Sequence, residues 1–171
     1  MEGILHSSNP LRFERSATNP TAKGGVGCLL GRTMKQTLSR ILVVDDSPGA
    51  RERTRSALED GDFLVVEASS GPQALLRAAE VKPRAVVTDL NMPGMDGLQL
   101  VAKLRQRGIH CPVLMVTAET SPQLRSAGIR LGVSAWLHKP FDAAHLTRAL
   151  EAILKHDAVS VSPTTRPLNK R

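Results

Sequence analysis

The sequence has no tyrosine, a single tryptophan and only two cysteines in 171 residues. Cys28 and Cys111 stand in unlike surroundings and form no CxxC or other ligand spacing. That excludes a disulfide framework and a cysteine-rich zinc site, and it points to a reducing, cytoplasmic setting. No apolar run approaches the ~20 residues that a membrane helix needs. An apolar leader is missing too: residues 9–23 are polar and charged, so Gly25-Val26-Gly27-Cys28 is a poor lipoprotein cleavage site. The expectation is a protein neither inserted in a membrane nor exported.

A large basic domain face is also lacking. Lys and Arg outnumber Asp and Glu by 23 to 16, yet residues 1–38 and 157–171 hold most of the excess, at +3 and +2. The middle carries 15 basic and 13 acidic residues. Five excess charges on tails would grip a phosphate backbone weakly and without sequence preference, and the tails carry no recognition helix or aromatic platform. Apolar residues at 41% and charged residues at 23% suit one soluble globular domain with room for tails.

Residues 1–38 show no sustained period of 2 or 3.6 and are expected to be a disordered extension. Met34 stands directly before the first ordered-looking segment and offers an alternative start, in which case residues 1–33 reflect start-codon choice. The glycines between Gly24 and Thr33 lack the GxxxxGK[ST] spacing of a phosphate loop and read as linker. From Arg40 onward, short branched apolar runs alternate with amphipathic segments. Strands are predicted at Ile41–Val44, 63–66, 85–88, 113–116 and 135–137. Helices are predicted from Pro48 until Gly61 stops the first, and over 73–81, 98–107, 122–131 and 142–156. Leu146, Ala149, Leu150, Ile153 and Leu154 form the clearest apolar stripe. Five βα units with short connections imply a parallel sheet covered by helices on both faces. Residues 157–171 return to a disorder-like composition and are expected to be a disordered C-terminal tail.

Ligands of an open parallel sheet bind beyond the carboxyl ends of its strands. Those ends deliver Asp45 and Asp46, then Asp89, then Thr117, and finally Lys139 two residues past Leu137. Each has a plain alternative: Asp46 as a helix cap, Thr117 as strand filling, Lys139-Pro140 as a tight turn. Their joint occurrence at successive strand ends favours a site. Crowded carboxylates repel unless a cation sits among them, and an oxygen-only cluster suits Mg²⁺.

Ile41-Leu42-Val43-Val44-Asp45-Asp46-Ser47, the stretch from Thr88-Asp89 through Asn91 and Pro93 to Gly97, Val116-Thr117-Ala118 and Leu137-His138-Lys139-Pro140-Phe141 resemble the signature set of the receiver domain of two-component response regulators. The likeness covers residues 39–156 with order and spacing intact. It implies a flavodoxin-like doubly wound sheet of order 2-1-3-4-5. By the resemblance, Asp89 is the phosphoacceptor, attacking a phosphohistidine on a sensor histidine kinase or a histidine phosphotransfer protein. Asp46, Asp89 and the main-chain carbonyl of Asn91 ligate Mg²⁺, with Asp45 acting through water. Lys139 stabilises the phosphoryl group, and the Lys139–Pro140 peptide is a candidate for the cis form. Thr117 is the switch hydroxyl, and Trp136 stands where the family has Tyr or Phe, a departure that restricts the ring's inward rotation. Asn91 and Glu119 occupy the lifetime-tuning positions, in a combination that resembles the fast-decaying chemotaxis type.

The expectation is a stand-alone, single-domain response regulator. It is no enzyme beyond its own phosphorylation and dephosphorylation, and it is a monomer or a weak phosphorylation-dependent dimer. Its output is contact with a protein target through the fourth and fifth helices and fifth strand, near Arg125, Arg130, His138 and Arg148. The alternative is a phosphorylation-gated nucleic-acid-binding protein that uses the basic tails.

Overall fold

The computed structural model describes residues 39–160, with side chains to residue 158. Residues 1–38 and 161–171 lie outside the described residues, and with them most of both predicted tails. Five βα units follow one another: β1 (Arg40–Val44), α1 (Pro48–Glu59), β2 (Leu64–Ala68), α2 (Gly71–Val81), β3 (Ala85–Asp89), α3 (Gly97–Gln106), β4 (Val113–Thr117), α4 (Pro122–Arg130), β5 (Ala135–His138) and α5 (Ala143–Ser160). All neighbouring strands are parallel, in the order β2-β1-β3-β4-β5.

β1, β3 and β4 are buried nearly throughout, as continuous apolar runs in a sheet covered on both faces must be. The edge strands β2 and β5 are half open. Alternation along each strand splits the core in two. Leu42, Val44, Val86 and Met115 pack toward α2 and α3, while Ile41, Val43, Val87 and Leu114 pack against Leu58 of α1 and Leu146, Leu150 and Ile153 of α5. The stripe expected on α5 therefore faces the sheet.

Several boundaries differ from the sequence expectation for local reasons. β2 runs to Ala68, opposite Val44, and Phe63 belongs to the preceding turn, its N–H donating to Leu58 O. α2 starts two residues early, at Gly71, because the Ser70 hydroxyl caps Gln73 N and Pro72 suits the first turn. Asp142 precedes α5 and accepts from His145 N at 2.7 Å. At the other end α5 runs on to Ser160, past the boundary expected at His156. No helix among the described residues is long and apolar enough to cross a membrane.

At the end of the sheet remote from the site, one arginine bridges two turns. Arg105 of α3 donates to Ile109 O, Cys111 O and Gly132 O at 2.8, 3.1 and 3.0 Å, joining the turns that lead into β4 and β5.

Candidate functional site

Strand register places the site. Val44 pairs with Thr88, Asp89 with Val116, and Thr117 with His138, so the residues just past each pairing arrive at one edge of the sheet. There the carboxylates of Asp45, Asp46 and Asp89 bring ligand oxygens within 4.8 Å of one another. Asp45 is buried, Asp89 partly buried and Asp46 exposed. The Lys139 ammonium reaches across from the end of β5, 3.2 Å from Asp45 Oδ2 and 3.3 Å from Asp89 Oδ1. Its own N–H donates to Thr117 O at 2.9 Å, and the Lys139–Pro140 peptide is cis. The tight-turn alternative for Lys139-Pro140 thus describes the backbone without accounting for the ammonium's place beside two carboxylates.

The helix-cap alternative for Asp46 gives way to Ser47, which is the N-cap of α1 and accepts from Ala50 N. Asp45 Oδ1 accepts from Ser47 N at 2.9 Å, and Asp89 Oδ1 from Leu90 N at 2.9 Å. One lysine does not balance three carboxylates. Burial pushes the Asp89 carboxyl above its ordinary value, and the Asp45 carboxylate adds to the push; Lys139 and the Leu90 N–H pull it back only in part. The oxygen-only donor set and its uncompensated charge fit a small hard divalent cation.

The raised pKa has a consequence for stability. A carboxyl that holds its proton more tightly when folded stabilises the fold at low pH, and that contribution is lost as pH rises from the unfolded value through the raised folded one. Without divalent cations, Asp89→Asn is therefore expected to gain stability over the native chain as pH rises from 4 to 7. Urea unfolding in EDTA measures this; an advantage that shrank with pH would contradict it.

Thr117 is buried, and its hydroxyl accepts from Glu119 N at 3.0 Å. Asn91 is exposed on the loop after β3, between the buried Leu90 and Met92. Glu119 is also exposed, but its carboxylate is occupied: Oε1 accepts from Thr120 N and Ser121 N at 3.0 Å each, at the start of α4. Its carboxylate is thus held on the loop.

Trp136 is half-buried and packs against the α2–α3 side of the core, with its indole nitrogen buried and without a hydrogen-bond partner among the described residues. It shares a cleft of about 150 Å³ with Thr117, Leu124, Arg125 and His138. Gly128 of α4 makes room for the ring, since a Cβ there would collide with Trp136 Cζ2. A glycine inside a helix costs about 1 kcal/mol against alanine, so Gly128→Ala gains helix propensity. Overpacking costs about 1–3 kcal/mol, and the ring is large and wedged. The loss is expected to win, with Trp136 emission shifting to the red as the ring leaves its seat. Unchanged emission with higher stability would show that the ring relaxes freely.

Sequence reasoning did not single out Gly128, although a glycine within a helical pattern is a signal of close approach. It also passed over Arg51, whose guanidinium donates to Asp45 O.

Comparison with known proteins agrees with this geometry. The family model for the response regulator receiver domain matches residues 41–151. Response regulator MprA of Mycobacterium sp. strain KMS is 37% identical over 129 residues, covering 75% of this chain and 56% of the relative. MprA of Mycolicibacterium vanbaalenii is 40% identical over 116 residues, 68% of this chain and 50% of the relative. The chain thus spans about half the length of these relatives. Among solved structures, the Vibrio cholerae chemotaxis protein CheY4 superposes with TM-score 0.66 at 33% identity, over 68% of this chain and 98% of that one. The receiver domain of the putative response regulator NarL from Mycobacterium tuberculosis gives TM-score 0.66 at 31% identity, over 69% and 97%. With its five-stranded parallel sheet and its acidic strand ends, the chain belongs to the response regulator receiver family.

Proposed function

We propose that this receiver takes a phosphoryl group onto Asp89 from a phosphohistidine of a sensor histidine kinase or histidine phosphotransfer protein in the cytoplasm, and that the modification switches a protein-binding surface. The observation that carries the reading is the Lys139 ammonium set 3.3 Å from Asp89 Oδ1, beside three carboxylates whose oxygens lie within 4.8 Å.

In the transfer, an Asp89 oxygen attacks phosphorus, the N–P bond of the phosphohistidine breaks, and the imidazole departs with the bonding pair. Water later attacks the same phosphorus and releases inorganic phosphate, restoring the carboxylate. Such transfers depend on positioning and on neutralising the phosphoryl oxygens more than on covalent help. Asp45, Asp46 and Asp89, with the Asn91 carbonyl, would hold Mg²⁺, which supplies that neutralisation when bound. Lys139 contributes a second positive charge beside Asp89, its backbone held in place by the main-chain bond to Thr117 O. In both steps the group modified or restored is the chain's own Asp89, so on this reading it is no enzyme toward other substrates.

The Thr117 hydroxyl, now bonded to Glu119 N, would turn to the phosphoryl oxygen, and Trp136, lining the same cleft, would carry the change to the α4–β5–α5 face. Arg125, Arg130, His138 and Arg148 are exposed on these elements. Release of Glu119 from the loop would accompany the change and, with Asn91, tune its lifetime.

The test is intact mass after incubation with Mg²⁺ and a small-molecule phosphodonor, with Trp136 emission followed in parallel. The native chain is expected to gain one phosphoryl mass and to change emission, and Asp89→Asn to do neither. Equal phosphorylation of the variant, or none of the native chain, would overturn the assignment.

A further inference from the structure

We propose that Arg51 is a positioning residue for the cation site, tying the end of β1 to β2 and so setting where the Asp45 and Asp46 carboxylates stand. Its Nη1 donates to the Asp45 main-chain carbonyl at 2.7 Å, and its Nε lies 3.4 Å from Glu67 Oε1 on β2. The arginine side chain is 18% exposed, so water screens its bond to the Asp45 carbonyl weakly, while Glu67, at 39%, is open to solvent. The inference rests on the reading of the acidic cluster as a Mg²⁺ site.

Asp45 lies one residue past Val44, the last residue of β1 to pair with a neighbouring strand. Its N–H still reaches Ala68 O at 3.3 Å, but its carbonyl is met by Arg51. A peptide unit is planar, so the direction of the Asp45 carbonyl also fixes the Cα of Asp46. One guanidinium contact therefore places two acidic residues. Each carboxylate oxygen of Asp45 has its own partner, Ser47 N at 2.9 Å and Lys139 Nζ at 3.2 Å, which holds the side chain once the backbone is set. Asp46 depends on the backbone more heavily, since its side chain is exposed. Mg²⁺ tolerates little departure from octahedral geometry, so a displaced backbone translates into weaker binding.

Charge and position make opposite predictions. A guanidinium near a cation site repels the cation, so if charge were its main effect, removing Arg51 would tighten Mg²⁺ binding. If it holds the carboxylates in place, removal weakens binding by about 10-fold, the lower end of what partners outside the ligand shell are worth. Lysine keeps the charge, but its donors sit on one nitrogen and cannot reproduce the two contacts that Arg51 makes from Nη1 and Nε.

The experiment titrates Mg²⁺ calorimetrically into the full chain, native, Arg51→Met, Arg51→Lys and Asp46→Asn, with the Mg²⁺-induced rise in melting temperature as a second readout. The expected order of affinity is native, then Arg51→Lys, then Arg51→Met, with Asp46→Asn weakest. Affinity unchanged or tightened in Arg51→Met overturns the proposal, as does a lowered melting temperature of the cation-free protein with Mg²⁺ binding intact. Should Arg51→Met fail to fold, Arg51→Lys decides alone: weaker binding at equal charge supports the role, and native affinity overturns it. A native chain that does not bind Mg²⁺ would remove the cation site itself, and the role of Arg51 with it.

Discussion

Lys139→Ala is expected to slow phosphorylation of Asp89 by about 100- to 1,000-fold, the effect of losing one preorganised group aimed at developing charge. The ammonium sits 3.3 Å from Asp89 Oδ1 and 3.2 Å from Asp45 Oδ2, and it is 29% exposed. It is therefore dry enough to act strongly on an incoming phosphoryl group yet open enough to meet it. Lys139 is also the strongest of the influences that hold the Asp89 pKa down in the cation-free protein, so its removal lets the carboxyl move further up there. The rate of phosphoryl mass gain at saturating Mg²⁺ and fixed donor measures the effect, with urea unfolding as a check that the fold survives. A rate within about threefold of native would reduce Lys139 to a tether between β5 and β1.

The contrast between Lys139 and Arg51 shows what could be read from residues alone. Lys139 follows a predicted strand and precedes a proline, so its place in a sheet already put it at the site edge. Arg51 lies on a helix among Arg53 and Arg55, and in sequence it looks like one more charge on a solvated face. Its partners, Asp45 O and Glu67, are neighbours only once β2 has paired with β1. Arg105 escaped notice for the same reason, because its three carbonyl acceptors come from two different turns. The central strands were legible because burial on both faces demands branched apolar runs. The start of α2 was less so, resting on one serine hydroxyl. Glu119 is a different case: Glu-Thr-Ser-Pro before a helix offers nearby N–H groups to an acidic side chain, a local contact that the site-centred reading overlooked.

Gly97→Ala is expected to cost about 3 kcal/mol of stability, the upper end of overpacking, and to slow phosphorylation as well. Gly97 opens α3 after Asp96, whose carboxylate caps Gln99 N at 2.7 Å while the Gln99 side chain caps Asp96 N. The Gly97 N–H donates to Leu90 O at 2.8 Å, so the helix start rests on the chain just after Asp89. A Cβ there would collide with Asp89 O and stand 2.9 Å from Met115 Sδ and 3.0 Å from Leu90 Cα. The thioether can swing aside, but the other two atoms are backbone at the end of a buried strand. Relief must come from moving α3 outward or shifting the loop that carries Asp89. The second route misplaces the attacking carboxylate, and an error of about 1 Å at a reacting group can cost about 100-fold in rate. Gly49→Ala is the matched control, since its Cβ would find only Arg53 Nη1, at 3.5 Å, and the helix gains propensity. Urea midpoints and phosphorylation rates of the two variants should diverge sharply. If Gly97→Ala were as benign as Gly49→Ala on both measures, the close seating of α3 on the phosphoacceptor strand would have no part in placing Asp89.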